Sequence, residues 1–182
     1  GQPAGIARYV SDIMRRLSAQ AGLQLHVRDY RRAFRRQTCC GQPGYNSGDV
    51  KSGRDLALKF LDEFQGCDYI VAPSGSCSGM IRTHYPVIFK DEPEVLQRLT
   101  VLTDKTYELT DFLVNVAKPD KLNTNFSGSV TYHDSCSGLR ELGVKNQPRT
   151  LLKQCGVAVT EMLDAEVCCG FGGTFSVKLG DI

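Results

Sequence analysis

Two cysteine doublets are the residues of this chain best suited to chemistry. Cys39-Cys40 runs into Gly41-Gln42-Pro43-Gly44, and Cys168-Cys169 into Gly170-Phe171-Gly172-Gly173. Adjacent cysteines rarely pair with one another, because a disulfide across one peptide bond strains its geometry. A doublet instead presents several thiolates at one point of the backbone, and soft metal centres favour such donors. Two single cysteines extend the pattern: Cys77 in Ser74-Gly75-Ser76-Cys77 and Cys136 in Asp134-Ser135-Cys136. The candidate ligands fall into two sets of three, Cys39, Cys40 and Cys77 in one, Cys136, Cys168 and Cys169 in the other. An iron–sulfur cluster is the guest these sets suit best. Glycines beside the thiols let backbone approach inorganic sulfide and offer N–H groups to it. Zinc also takes thiolates, but its usual Cys-x-x-Cys pairs are absent. The matching context of the two doublets suggests an internal duplication.

These thiols have to be brought together by the elements between them. Ile6, Val10, Ile13, Met14 and Leu17 recur at helical spacing over 3–20, and Leu23 to Val27 alternates as a strand does. A basic stretch (Arg28, Arg31, Arg32, Arg35, Arg36) leads to the first doublet, and Gly41 to Gly48 reads as loop. A helix is predicted over 49–64 and a short buried strand over Tyr69–Ala72, with Ser74 to Cys77 turning into a further helix. One long helical region is predicted over about 93–117. In the second half, Val130–His133 reads as a strand and Asp134-Ser135-Cys136 as a helix-capping turn. Gln147–Gln154 reads as a helix with Pro148 in its first turn, and Val157–Met162 as a strand. Strands alternating with helices imply parallel βαβ units in an α/β fold, with ligands at the carboxyl ends of the strands. Every candidate cysteine falls at or just after such an end.

Composition bounds the alternatives. Of the 182 residues, 41% are hydrophobic and 23% charged. That is enough for one large domain or two small lobes. A net charge of +2 argues against a dedicated nucleic-acid binder. No apolar run approaches the roughly 20 residues that span a bilayer, and nothing at the start of the chain marks secretion. Eight cysteines without a secretory signal fit metal or redox use in a reducing compartment, so a cytoplasmic location is expected.

The stretches Gln37 to Pro43, Ala72 to Cys77, Tyr132 to Cys136 and Cys168 to Phe175 together resemble the cysteine-rich CCG-repeat iron–sulfur family. The resemblance covers nearly the whole chain and is nearest to members that serve lactate and glycolate oxidation. It implies two duplicated, Rossmann-like lobes with parallel sheets in a pseudo-two-fold relation, the first over 1–117 and the second over 118–182. It also implies [4Fe–4S] clusters on the two sets of three cysteines, and no catalytic residue beyond them. The implied role is that of an iron–sulfur electron-transfer subunit in a complex oxidising a 2-hydroxy acid, L-lactate first. Its partners would be the other subunits of that complex and an electron acceptor. The alternatives are a catalytic cluster, as in the family's heterodisulfide reductase members, and a zinc-binding structural module. Against the family's full repeat, the first lobe lacks a leading cysteine and the second a trailing one, so the chain is expected to be a fragment lacking both ends. Ser74 stands where some relatives have the first cysteine of a Cys-x-x-Cys pair.

The remaining candidates have simpler readings. Cys67 and Cys155 lie outside the motifs and read as inert buried thiols. His133 beside Asp134 could be an acid–base pair, but a hydrogen bond from a strand-end histidine to its own turn is the preferred reading. The glycines after Cys169 do not complete a dinucleotide-binding pattern, and the arginine run reads as a solvated loop.

Overall fold

The computed structural model describes residues 39–119, 122, 126 and 128–170, opening at the first doublet. The helix expected over 3–20, the strand over 23–27, the arginine run and the stretch 171–175 lie outside the described residues. The segment expected to be loop after the first doublet contains a short helix, α1 (Gln42–Asn46), because Pro43 sits in its first turn with a backbone already set for helix. The next helix, α2 (Val50–Phe64), forms as the sequence predicts. Asp49 caps it by accepting the Ser52 N–H at 3.0 Å, as short polar side chains do at helix starts. Its buried residues Gly53, Ala57, Phe60 and Leu61 repeat at helical spacing and face the core.

Strand β1 (Ile70–Ala72) ends at Pro73, and Ser74 starts α3 (Gly75–Gly79). One π turn, Met80–His84, joins α3 to α4 (Tyr85–Ile88). Phe60, Met80, Tyr85, Phe89 and Leu99 are almost completely buried and form the centre of the core. The Phe60 ring meets Tyr85 edge-on at 5.5 Å between centroids, a geometry that aromatic quadrupoles favour.

The long helix expected over 93–117 is interrupted. Helix α5 (Pro93–Thr103) stops, and Thr106–Glu108 forms strand β2, which pairs with β1 in parallel, Ile70 opposite Thr106 and Ala72 opposite Glu108. Thr106 and Tyr107 favour extended backbone, and pairing with β1 outweighs the helical spacing of the leucines around them. Helix α6 (Leu109–Phe112) follows, capped by the Glu108 carboxylate, and a second π turn ends at Ala117.

In the second half, β3 (Ser129–Val130) pairs in parallel with β4 (Ala158–Val159). Both strands are shorter than predicted. Thr160 N–H still bonds the Val130 carbonyl, but beyond that the chain bends away, so His133 lies in a loop. Between the strands run α7 (Cys136–Leu142) and α8 (Asn146–Gln154). Each half is thus a strand, a helical crossover and a parallel strand, an α/β fold. The halves meet where α3 lies on α7. A Cβ on Gly75 would stand 2.6 Å from Ser135 Oγ and 2.8 Å from the Gly138 nitrogen, so the two backbones touch there.

Candidate metal centre

The two Cys-Cys-Gly turns share one local geometry. Gly41 and Gly170 both adopt left-handed backbone, with φ of 84° and 73°, a conformation open to glycine at no steric cost. In both, the glycine N–H turns back onto the sulfur of the first cysteine: Gly41 N donates to Cys39 Sγ at 3.3 Å, and Gly170 N–H bonds Cys168. Gly41 also lies against α2, where a Cβ would meet the Gly53 Cα at 3.2 Å, so the first turn is seated directly on that helix.

In the first half, Cys40 is buried and its carbonyl accepts the Tyr85 hydroxyl at 2.9 Å. Tyr85 is fully buried, and burial, then the Cys40, Cys39 and Cys77 charges, hold its hydroxyl in the protonated form. Cys77 sits at the start of α3, half-buried, and the Cys40 and Cys77 side chains hydrogen-bond each other. Cys77 is brought down to about 6, first by the hydrogen bond from Cys40 and then, against burial, by those from Ser74 and Ser76. Donors of this kind favour the thiolate. The Cys40 thiol is pushed far above its ordinary range, first because it donates to Cys77, then by burial. The two thiols share a proton, and the thiolate is favoured at Cys77. Ser74 and Ser76 hydroxyls lie 2.9 Å apart beside it.

In the second half, Ser135 caps α7 by accepting Gly138 N–H at 3.4 Å, which puts Cys136 in the first turn. Cys136 and Cys168 hydrogen-bond each other. Cys168 is lowered by the Gly170 N–H, then by Cys136 and by the Arg140 charge. Cys136 is raised, first by its hydrogen bond to Cys168. The structure therefore brings together Cys40 with Cys77 and Cys136 with Cys168. Cys39 and Cys169, the other doublet members, are exposed. Among the described residues no group of three His, Cys, Asp or Glu side chains converges as a metal site, so a three-thiolate set requires Cys39 and Cys169 to turn inwards. As donors the two sets fit a thiophilic metal or cluster: each has two sulfurs in contact, a third on the adjacent residue, and a glycine N–H aimed at sulfur. Cys67 is partly buried against the core and Cys155 is half-buried, so neither is fully enclosed as expected.

His133 and Asp134 are not a pair. His133 Nε2 contacts the Val167 carbonyl at 2.8 Å, on the loop before the second doublet rather than in its own turn. Asp134 is buried against Arg149, whose two terminal nitrogens reach its oxygens at 2.7 and 2.8 Å. Arg149 also binds Glu161 at 2.6 and 2.9 Å. Sequence reading passes over Arg149, Glu161 and Tyr85. A cation in the first turn of α8, where the helix dipole disfavours it, is the signal that Arg149 answers a buried carboxylate.

Two parallel α/β units, each with a Cys-Cys-Gly turn facing a lone cysteine at a helix start, describe a thiolate-rich metal-binding type of protein. Residues 10–82 and 130–180, more than half of the chain, match the family model described as Cysteine-rich domain (CCG), and the chain belongs to this family. It is similar to Lactate utilization protein A of Anoxybacillus flavithermus, 48% identical over 147 residues, covering 80% of this chain and 61% of the relative. The proteins of the same name in Geobacillus sp. (strain WCH70) and Oceanobacillus iheyensis are 47% and 46% identical over 147 residues, again over 80% of this chain and 61% and 60% of the relatives. The chain thus spans about three fifths of the length of these curated relatives. Among the described residues no helix is long and apolar enough to cross a membrane.

Proposed function

We propose that this chain carries electrons through two [4Fe–4S] clusters in a system that oxidises a 2-hydroxy acid, with L-lactate as the favoured substrate. Cys39, Cys40 and Cys77 would hold one cluster, and Cys136, Cys168 and Cys169 the other. The observation that carries this reading is the meeting of thiols far apart in sequence, Cys40 with Cys77 and Cys136 with Cys168. Only the folded strand ends can gather them. The relatives' name, Lactate utilization protein A, supplies the substrate.

A bound cluster of this kind supplies one-electron transfer at a potential tuned by its hydrogen bonds and exposure. The chain's own residues do the rest. Gly41 and Gly170 N–H groups donate to sulfur, and Cys40 is buried beside Tyr85 while Cys39 is exposed. Cys168 and Cys169 are exposed, which leaves the second place open to a redox partner. That partner would be another subunit of the oxidising system, in the cytoplasm, with the two repeats of this chain dividing near residue 117.

The test is anaerobic reconstitution of the protein with iron and sulfide, followed by optical and electron paramagnetic resonance spectra. Broad visible sulfide-to-iron absorption, bleached when lactate and the partner subunits are added, is expected. Tight stoichiometric zinc with no iron uptake would remove the cluster reading.

A further inference from the structure

The two thiol pairs are held by different means, and the second depends on one residue that carries no thiol. The chain from Glu161 to Val167 delivers the second doublet, yet most of it is exposed and Leu163 makes no burial at all. Ala165 is its one buried residue, so apolar packing alone does not fix it. Four polar contacts do. Asp134 N–H bonds the Ala165 carbonyl at 2.8 Å, and His133 reaches the Val167 carbonyl at 2.8 Å. Lys145 pairs with Glu166, and Arg149 with Glu161. Asp134 is two residues before Cys136, and Val167 is the residue before Cys168. The same backbone that positions Cys136 is thereby tied to the backbone that positions Cys168.

Arg149 lies at the centre of this knot. Its guanidinium forks onto both Asp134 oxygens, both Glu161 oxygens and the Lys145 carbonyl, the last at 2.7 Å. It also stacks over the Tyr132 ring at 5.2 Å. Both contacts suit a planar, delocalised cation. The Asp134 side chain has no exposure and that of Arg149 is 18% exposed, so water does not compete for this pairing as it does at the surface. Lysine cannot copy it: one ammonium has no planar fork to serve two carboxylates at once. The first pair has no counterpart to the knot among the described residues, because it rests on Gly41 packed against α2 and on the Tyr85 hydroxyl.

We infer that Arg149 is a positioning residue for the second centre, clamping the Glu161–Val167 loop to Asp134 so that Cys168 meets Cys136. This rests on the two-centre reading above, but concerns distance between thiols and can be measured without any cluster. Support around ligating residues typically costs about 10–100-fold in affinity when removed, and a loss at the low end of that range is expected here.

The experiment follows disulfide formation by diamide in the metal-free protein, with each crosslink quantified by peptide mass spectrometry. In Arg149→Lys, the Cys136–Cys168 crosslink should form about tenfold more slowly than in the parent, while Cys40–Cys77 keeps its rate. Glu161→Gln, a change at a half-exposed carboxylate that leaves the buried Asp134 pairing in place, should slow the same crosslink by a smaller factor and again spare the first. Equal slowing of both crosslinks, or no slowing of either in both variants, overturns the proposal. Reconstitution with iron and sulfide on the same samples separates the two claims. Selective slowing in the variants, with no iron uptake by the parent, leaves the clamp standing and removes the cluster reading. Normal iron uptake with unchanged crosslinking does the reverse.

Discussion

Replacing Gly75 by Ala perturbs the seam between the two halves where it has least room. The added Cβ would stand 2.6 Å from Ser135 Oγ, 2.8 Å from the Gly138 nitrogen and 2.9 Å from the Gly138 Cα. Two of the three obstacles are backbone, so α3 and α7 must move apart. Overpacking of this kind costs about 1–3 kcal/mol, and alanine returns roughly 0.5–1 kcal/mol by its better helical propensity. With backbone obstacles under 3.0 Å the upper part of the overpacking range applies, about 2–3 kcal/mol. The net loss is then about 1–2.5 kcal/mol, and in a chain of this size each kcal/mol lowers the melting temperature by roughly 2–4 °C. Gly79→Ala is the control. There the nearest obstacle is the Glu141 carboxylate, the free end of a flexible side chain, which can swing away from its contact with His84. Its cost should be smaller than that of Gly75→Ala, because a side chain rather than backbone must move. Urea unfolding followed by circular dichroism measures both, with a lower midpoint and an unchanged slope expected for Gly75→Ala. A Gly75→Ala chain as stable as the parent would refute the close approach of the two helices.

Other outcomes follow from the same geometry. In the metal-free protein, alkylation of Cys77 by iodoacetamide should reach half its maximal rate near pH 6, where the Cys40 hydrogen bond holds this thiol; Cys40→Ala should move that midpoint upward, and a parent midpoint in the ordinary thiol range would contradict the shared proton. Tyr85→Phe leaves the buried Cys40 carbonyl without its partner and should cost about 1–3 kcal/mol in urea unfolding; no loss would mean that water replaces the hydroxyl. Glu161 is held below the ordinary carboxylate range, first by its Arg149 hydrogen bonds, so it stabilises the folded chain above its unfolded value. The stability gap between the parent and Glu161→Gln should therefore be present near neutral pH and vanish as the pH falls through the folded value of Glu161; a gap that widens in acid would reverse the sign.

Much of the scaffold can be read from local sequence. Helix α2 shows itself by Asp49 and the spacing of Ala57, Phe60 and Leu61, and α8 by Pro148 in its first turn. The Ser135 cap is written in a side chain that bonds nearby backbone. What local sequence hides is decided across the chain. Thr106-Tyr107-Glu108 is too short to break the helical pattern of the leucines around it, and becomes a strand only because β1 offers it a partner. The shortness of β3 and β4 has the same origin, since a two-residue ladder ends where the partner turns away. In the candidate centre the residue types and the two sets of three are legible as chemistry. Which doublet member meets its lone cysteine is not: it is the second in the first half, Cys40, and the first in the second half, Cys168. Arg149 is hidden because its meaning comes from Asp134, which lies 15 residues earlier, beyond the reach of a local pattern.

The central claim is that two separate sets of thiolates each hold an iron–sulfur cluster. Iron and acid-labile sulfide counted after anaerobic reconstitution of the parent, Cys40→Ser, Cys169→Ser and the double variant test it most directly. Each single variant should lose its own cluster and keep the other, and the double variant should take up none. Loss of all iron from either single variant, or full iron in both, would contradict it.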